Sequence, residues 1–181
     1  HGASLLFGRL SLLNEISGLV SQAYEHVAPG KSAGIAYLPR SFSDIPREDS
    51  LPRNRQALEE LLHKEIALRR SEEFARGVTV VGPHRDDVLL TIGELPAKAY
   101  ASHGECWSMA LALRLAAFEL MRALDDSVGD PVLILDDVFA ELDSTRRKAL
   151  AQVAMTAEQT IITAAVAEDV PAELAAQQFV V

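Results

Sequence analysis

With 181 residues, 49% of them hydrophobic, the chain is long enough to bury a core and to form one domain or a domain with a smaller lobe. Its net charge is −9, but residues 40–85 hold nine of the 17 Lys and Arg against eight acids, whereas residues 86–181 hold six against 16. Charge alone therefore does not establish nucleic-acid binding, and any such surface is expected in the first half. No apolar run approaches the roughly 20 residues of a membrane span. The single Cys106 excludes a disulfide framework and favours a reducing, cytoplasmic setting.

The first part of the chain has the pattern of two helices separated by a loop. Apolar residues recur at helical spacing through the first thirty residues and predict a helix. Residues 28–52 contain four prolines and predict a loop-rich connection, with a possible short strand over 35–38. Asn54 is predicted to cap a charged amphipathic helix that ends near Arg76. Together these segments predict a small helical lobe.

Residues 29–32 resemble the end of a phosphate-binding P-loop, because they contain Gly30, Lys31 and Ser32. The pattern requires a glycine at position 25, which is Glu25, and the residues before it have a helical pattern. We therefore expect no P-loop here, which leaves the chain with half of a nucleotide site.

Residues 82–87, with the sequence GPHRDD, lie between two aliphatic runs at 78–81 and 88–92. This layout predicts a hairpin whose turn contains His84 and Arg85. Polar turn chemistry explains these residues by itself. A phosphate contact through Arg85 is the functional interpretation.

A second capped helix is predicted from residue 102 to about residue 124. Ser102 with Glu105 three positions later is a capping box, followed by apolar positions suited to a long, mostly buried helix. These residues could simply cap the helix. Alternatively, a small residue, Gly104 and a positively polarised helix start could form an anion site for phosphate.

Residues 131–143, with the sequence PVLILDDVFAELD, contain the strongest signal for chemistry. The apolar run 132–135 predicts a central parallel strand, buried on both faces, that delivers Asp136 and Asp137 to its carboxyl end. Such acids can hold Mg through water and orient an attacking water. A plain buried strand that ends in a turn explains this stretch equally well.

The rest of the chain is predicted to alternate helix and strand. Asp143 is predicted to cap a helix, and residues 159–164 predict another short buried strand. The end through Val181 predicts a short helix and a final strand.

Taken together, these motifs resemble the C-terminal half of an ABC-type ATPase head. SHGE at 102–105 resembles the signature motif, VLILDD at 132–137 the Walker B strand, and AELD at 140–143 the D-loop. With GPHRDD and a short helical lobe before the signature, the chain most resembles the RecF family. The resemblance implies an α/β fold with a partly parallel sheet flanked by helices. Residues 1–75 would form the helical lobe and residues 76–181 the C-terminal half of the head.

The resemblance also implies a site in which ATP and Mg lie between two heads of a homodimer. Asp136 would hold Mg through water and Asp137 would be catalytic by positioning the attacking water. The implied signature residues are Ser102, Gly104 and Glu105, and the implied D-loop residues at the dimer interface are Glu141, Leu142 and Asp143. Because Asp137 replaces the usual Glu, weak ATPase activity is expected of the full-length dimer, and none of a chain without a P-loop.

For function, the resemblance implies recombinational DNA repair, replication and the SOS response, with binding to double-stranded and gapped DNA and loading of RecA with the help of RecO and RecR. Candidate DNA contacts are Arg53, Arg55, Lys64, Arg69, Arg70 and Arg85. Two alternatives stay open. One is a head of the SMC, Rad50 or RecN kind, although residues 1–75 are too short and proline-interrupted for its long coiled coil. The other is a non-enzymatic interaction module.

Overall fold

The computed structural model describes residues 1–42, 44, 48–124 and 129–174. The chain divides into two compact units: unit 1 contains residues 1–18 and 34–100, and unit 2 contains residues 19–33 and 101–181. The division into a helical lobe and half of a head after residue 75 stays a prediction. No helix in the described ranges combines the length and apolar character needed to span a membrane.

Helix α1 (Gly2–Val27) is the first element and contributes residues to both units. Unit 1 continues with strand β1 (Ala33–Leu38), helix α2 (Arg55–Arg76), strands β2 (Asp87–Ile92) and β3 (Leu95–Pro96), and the short helix α3 (Ala97–Tyr100). A single 3₁₀ turn occupies Glu48–Ser50.

Helix α2 has the predicted ends. The side chain of Asn54 accepts a hydrogen bond from the Ala57 amide at 2.8 Å, and Gly77 ends the helix with a φ of 65°. Its buried residues are Leu58, Leu62 and Glu65. Leu68 is 64% exposed because it falls off that stripe of the helix.

The hairpin predicted around residues 82–87 is wrong. Residues 78–81 form no strand, and the Val80 amide donates instead to Glu73 Oε1 at 2.7 Å. Strand β2 pairs antiparallel with β3 across a turn at Gly93, which has a φ of 59°. The three strands form a sheet in the order β1–β2–β3.

A hydrogen-bonded network connects residues 82–86 to the segment that contains β1. Ser41, fully buried, donates through its hydroxyl to the Gly82 carbonyl at 2.6 Å. The Asp86 carboxylate accepts from the Tyr37 hydroxyl at 2.8 Å and from the Ser41 amide at 2.7 Å. Burial, followed by the bond to Asp86, raises the pKa of Tyr37. These contacts explain why residues beyond 75 belong to unit 1.

Unit 2 contains helix α4 (His103–Leu124), strand β4 (Leu133–Asp136), helix α5 (Ser144–Thr156) and strand β5 (Thr160–Thr163). Short 3₁₀ turns occupy Phe139–Glu141, Ala167–Asp169 and Ala172–Leu174. The final strand predicted near residue 181 lies outside the described residues.

Strands β4 and β5 are parallel, as predicted, and Asp136 lies opposite Thr163 in their register. The prediction that β4 is buried on both faces is wrong, because its burial alternates and Ile134 is 64% exposed. Residues of β5 alternate in the same way. One face of the pair packs on a core of apolar side chains from α1, α4 and α5. Its members include Val27, Leu115, Phe118, Leu133, Leu135, Phe139 and Leu150.

Candidate functional site

The start of helix α4 forms the predicted capping box. The Ser102 amide and hydroxyl both donate to Glu105 Oε2 at 2.8 Å, and the Glu105 amide donates back to the Ser102 hydroxyl at 3.3 Å. The Glu105 carboxylate is therefore directed at its own helix start. The capping-box prediction is confirmed, whereas the role of the same residues as a signature stays a prediction.

Lys31 neutralises the acid of this turn. Its Nζ lies 2.5 Å from Glu105 Oε1, so the two oxygens of one carboxylate bind Lys31 and Ser102 separately. The bond from Lys31, followed by those from Ser102, lowers the pKa of Glu105 to about 2. The same ion pair raises the pKa of Lys31. Glu105 is thus ionised and paired at neutral pH.

The guanidinium of Arg146 lies beside Gly104. A Cβ atom at Gly104 would lie 3.4 Å from Arg146 Nη2, in van der Waals contact with the guanidinium. Arg146 Nε donates to the hydroxyl of Ser108 at 2.8 Å, and that hydroxyl donates to the Gly104 carbonyl at 3.0 Å. Arg146 Nη1 also donates to Asp143 Oδ2 at 2.7 Å. The side chain of Arg146 therefore connects the start of α4 with the start of α5.

Asp143 caps α5 as predicted. Its Oδ1 accepts from the Thr145 amide at 3.1 Å and from the Arg146 amide at 2.9 Å. Leu142 is buried in the core of unit 2, whereas the side chain of Glu141 lies outside the described residues. An interface role for these D-loop residues stays a prediction.

The two acids at the end of β4, Asp136 and Asp137, are linked to strand β5 through Thr163. The Thr163 hydroxyl donates to Asp136 Oδ1 at 2.5 Å and accepts from the Asp137 amide at 3.1 Å. The Asp137 amide also donates to the Thr163 carbonyl at 3.1 Å. Both carboxylates are exposed at the carboxyl end of a parallel strand pair, where ligands bind in α/β sheets.

Asp137 has a φ of 51°, the single positive value among the described residues other than glycine. This left-handed conformation is uncommon for side chains with a Cβ, and Asp tolerates it better than most. Such strain tends to occur where a side chain must point in a set direction for function. It supports treating Asp137 as a functional residue.

The acids fit a metal bound partly by other ligands. No group of three or more His, Cys, Asp or Glu residues gathers in the described ranges in a way that could hold a metal alone. Mg commonly uses one or two carboxylates and completes its shell with water and phosphate. Asp136 suits that role, since Thr163 occupies one of its oxygens.

All six candidate DNA contacts belong to unit 1. Arg53, Arg55, Lys64 and Arg70 have exposed side chains, and Arg70 stacks on the Phe74 ring at 5.4 Å from its centroid. Arg69 is engaged by Glu72 at 2.9 Å. Arg85 is exposed but anchored, because its Nε donates to the Thr79 carbonyl at 2.8 Å. Their contact with DNA stays a prediction.

Sequence reasoning missed four residues that organise the site: Lys31, Ser108, Arg146 and Thr163. Arg146 could have been found, because it follows Asp143 by three positions, the spacing of a helical ion pair. The other three carry no comparable local signal.

The strand pair that ends in two acids, the capped turn of α4 and the capped turn of α5 define half of an ABC-type ATPase head. No family model matches the chain. It is 53% identical over 186 residues to the DNA replication and repair protein RecF of Rhodococcus erythropolis, covering 99% of this chain and 45% of that protein. It is 51% identical over 181 residues to the RecF of Frankia alni, covering 100% and 47%. The chain thus spans about half the length of these curated relatives.

Two solved structures have the same fold. A structure of the recombination mediator protein RecF with ATPrS has a TM-score of 0.73 and 24% identity, covering 94% of this chain and 43% of that one. A RecF–ATP structure has a TM-score of 0.67 and 26% identity, covering 92% and 42%. Over its whole length the chain is similar to the C-terminal portion of RecF proteins.

Proposed function

We propose that this chain is the signature and Walker B portion of an ATP-dependent DNA replication and repair protein of the RecFOR pathway. The similarity to DNA replication and repair proteins named RecF supports the repair role. The two similar solved structures, of RecF with ATPrS and with ATP in the RecFOR pathway, support the pathway and the binding of ATP. The observation that carries the nucleotide proposal is the turn at Ser102, where the acid is bound by Lys31 and by the helix cap. A neutralised acid leaves the polarised start of α4 suitable for a phosphate.

Each part of the site then has a role in an ATP-sandwiched dimer. Ser102 and Gly104 contact the γ-phosphate of a nucleotide held by the partner head. Asp136 would hold Mg through water, and Asp137 would position the attacking water. Asp137 is one methylene shorter than Glu, so hydrolysis is slow and the nucleotide acts as a switch. The P-loop belongs to the part of the protein that this chain does not include.

The open face of the parallel strand pair supports the same arrangement. Val132, Ile134 and Ile161 are exposed apolar residues on or beside β4 and β5. A parallel sheet is normally covered on both faces. We propose that the P-loop portion of the head covers this face in the complete protein.

The DNA-binding part of the proposal rests on unit 1. In the ATP-bound dimer, Arg53, Arg55, Lys64, Arg69, Arg70 and Arg85 are the proposed contacts to the phosphates of double-stranded or gapped DNA. Such contacts position a protein on DNA without reading its sequence, and they weaken as salt rises. Bound in this way, the dimer would help RecO and RecR to load RecA.

The proposal is tested by light scattering of the full-length protein with and without ATP and Mg. The expected result is an ATP-dependent dimer, its loss in Ser102→Arg, and its retention in Ser71→Arg, which adds the same charge at an exposed position of α2. Dimerisation that Ser102→Arg leaves unchanged would remove the signature assignment. A full-length protein that ignores ATP would favour a non-enzymatic interaction module.

DNA binding is tested separately with a gapped duplex at two salt concentrations. The expected result is tighter binding with ATP and a marked loss of affinity at the higher salt. Substitution of Arg55 by Gln should reduce the affinity and the salt dependence together. Affinity that neither ATP nor salt changes would contradict the proposed DNA contacts.

A further inference from the structure

Arg146 links two parts of the proposed dimer interface through an unbroken chain of hydrogen bonds. The chain runs from the Gly104 carbonyl to the Ser108 hydroxyl at 3.0 Å, from there to Arg146 Nε at 2.8 Å, and from Nη1 to Asp143 Oδ2 at 2.7 Å. One end is the signature turn and the other is the D-loop aspartate. All members belong to unit 2.

The link is rigid at each of its members. Ser108 is fully buried, and its hydroxyl both donates to Gly104 and accepts from Arg146, which sets its orientation. Asp143 is held at both oxygens, because Oδ1 accepts from two amides of α5 while Oδ2 accepts from Arg146. The guanidinium is a planar group whose nitrogens donate in fixed directions, so one rigid group holds both Ser108 and Asp143.

The glycine at position 104 belongs to the same arrangement. The Arg146 guanidinium lies beside Gly104, with Nη2 at 3.4 Å from the place where a Cβ atom would be. A side chain at position 104 would therefore lie against the guanidinium, and glycine leaves that space free.

From this geometry we propose that Arg146 is a positioning residue that couples the signature turn to the D-loop. When a phosphate on the partner head orders Ser102 and Gly104, Arg146 fixes Asp143 in the conformation that the dimer interface requires. The inference rests on the proposed function, since both ends matter only if two heads enclose a nucleotide. Coupling between sites can be carried by a contiguous hydrogen-bond network, and the Gly104–Ser108–Arg146–Asp143 chain is such a network.

The test measures the dimerisation constant of the full-length protein with ATP and Mg, and separately the affinity of the monomer for a fluorescent ATP analogue. Arg146→Gln should weaken dimerisation roughly tenfold or more, within the usual range of coupling between sites. Monomer affinity for ATP should not change, because Arg146 acts at the signature rather than the P-loop. Arg146→Lys should weaken dimerisation as Arg146→Gln does, although it keeps the positive charge, since an ammonium cannot donate in two fixed directions.

Lys148→Gln is the matched control, because it removes one positive charge from an exposed position in the same helix. Ser108→Ala breaks the same link by removing the hydroxyl that Arg146 Nε binds, and it keeps the charge of Arg146. It should also weaken the dimer. The double variant with Ser108→Ala and Arg146→Gln should dimerise only slightly more weakly than Arg146→Gln alone, as expected for residues that act as one unit. If Arg146→Gln fails to fold, the dimerisation constant of Ser108→Ala tests the coupling role by itself.

The outcomes separate this inference from the function on which it rests. If wild type dimerises with ATP but Arg146→Gln and Ser108→Ala dimerise as tightly as Lys148→Gln, the coupling role is overturned and the proposed function stands. Full additivity of the two substitutions would also overturn it. If wild type does not dimerise with ATP, the proposed function is wrong and the role of Arg146 fails with it.

Discussion

Thr163 joins the two acids at the end of β4, and its replacement by Val tests that arrangement. The hydroxyl donates to Asp136 Oδ1 at 2.5 Å and accepts from the Asp137 amide at 3.1 Å. Val has nearly the same shape and a similar preference for strands, so the substitution removes the two hydrogen bonds and little else.

The contacts indicate a modest loss of stability. A hydrogen bond contributes about 0.5–1.5 kcal/mol, and one to an ionised group more. Both bonds of the Thr163 hydroxyl are exposed to solvent, which reduces their net value. The Asp137 amide keeps the Thr163 carbonyl as an acceptor at 3.1 Å, so no buried donor is left unpaired. We expect Thr163→Val to lower the free energy of unfolding by about 1 kcal/mol.

The measurement is urea denaturation of the full-length protein, with Thr163→Ser as the control that keeps the hydroxyl. The serine variant should remain closer to wild type than the valine variant, and valine should also reduce ATP hydrolysis, because Asp136 loses the group that orients it. A valine variant at least as stable as the serine variant would refute the assigned role of the hydroxyl.

Other tests address Glu105, Asp143 and Asp137. The pKa of Glu105 is lowered from 4.5 to about 2. The ionised carboxylate therefore contributes its full stabilisation above pH 4.5, and this contribution is lost as the pH falls toward 2. The difference in urea midpoint between wild type and Glu105→Gln should shrink over that range. Asp143→Ala removes the acceptor of two amides of α5 and should cost about 1 kcal/mol in urea denaturation. Asp137→Asn should change stability by less than about 0.5 kcal/mol, because Asn also tolerates positive φ, while ATP hydrolysis by the full-length protein falls.

Each of these tests has its own contrary result. A midpoint difference between wild type and Glu105→Gln that stays constant down to pH 2 would show that the carboxylate is not specially stabilised. Asp143→Asn keeps an oxygen that can cap α5. If it lowers the free energy of unfolding as much as Asp143→Ala does, the capping role of Asp143 is contradicted. Asp137→Val should cost about 1–2 kcal/mol because of the positive φ, and a neutral effect would remove the argument from strain. Unchanged hydrolysis in Asp137→Asn would exclude the catalytic role.

The helix ends of this protein could be predicted from the sequence alone. Asn54 caps α2, Ser102 and Glu105 form the capping box of α4, and Asp143 caps α5, as the sequence predicts. A cap depends on a side chain and on amides two or three residues away, so its cause is local. The parallel pairing of β4 was also predictable, because its apolar run ends in acids and another apolar run follows one helix later.

The predicted hairpin failed for a reason that is not local. The aliphatic residues before Gly82 have the composition of a strand. However, the Val80 amide donates to the Glu73 carboxylate, and the Ser41 hydroxyl binds both the amide and the carbonyl of Gly82. These partners come from other parts of unit 1. Tertiary contacts therefore override a strand propensity that the local sequence carries.

What surrounds the functional residues was decided by tertiary structure alone. Lys31 binds Glu105 across 74 positions, and Arg146 reaches Ser108 across 38. Neither pair has a spacing that secondary structure would bring together, so only the packing of unit 2 creates them. The sequence by itself determined which residues carry charge and where the helices begin. The fold determined that Glu105 is neutralised by Lys31 and that the start of α4 is joined to the start of α5.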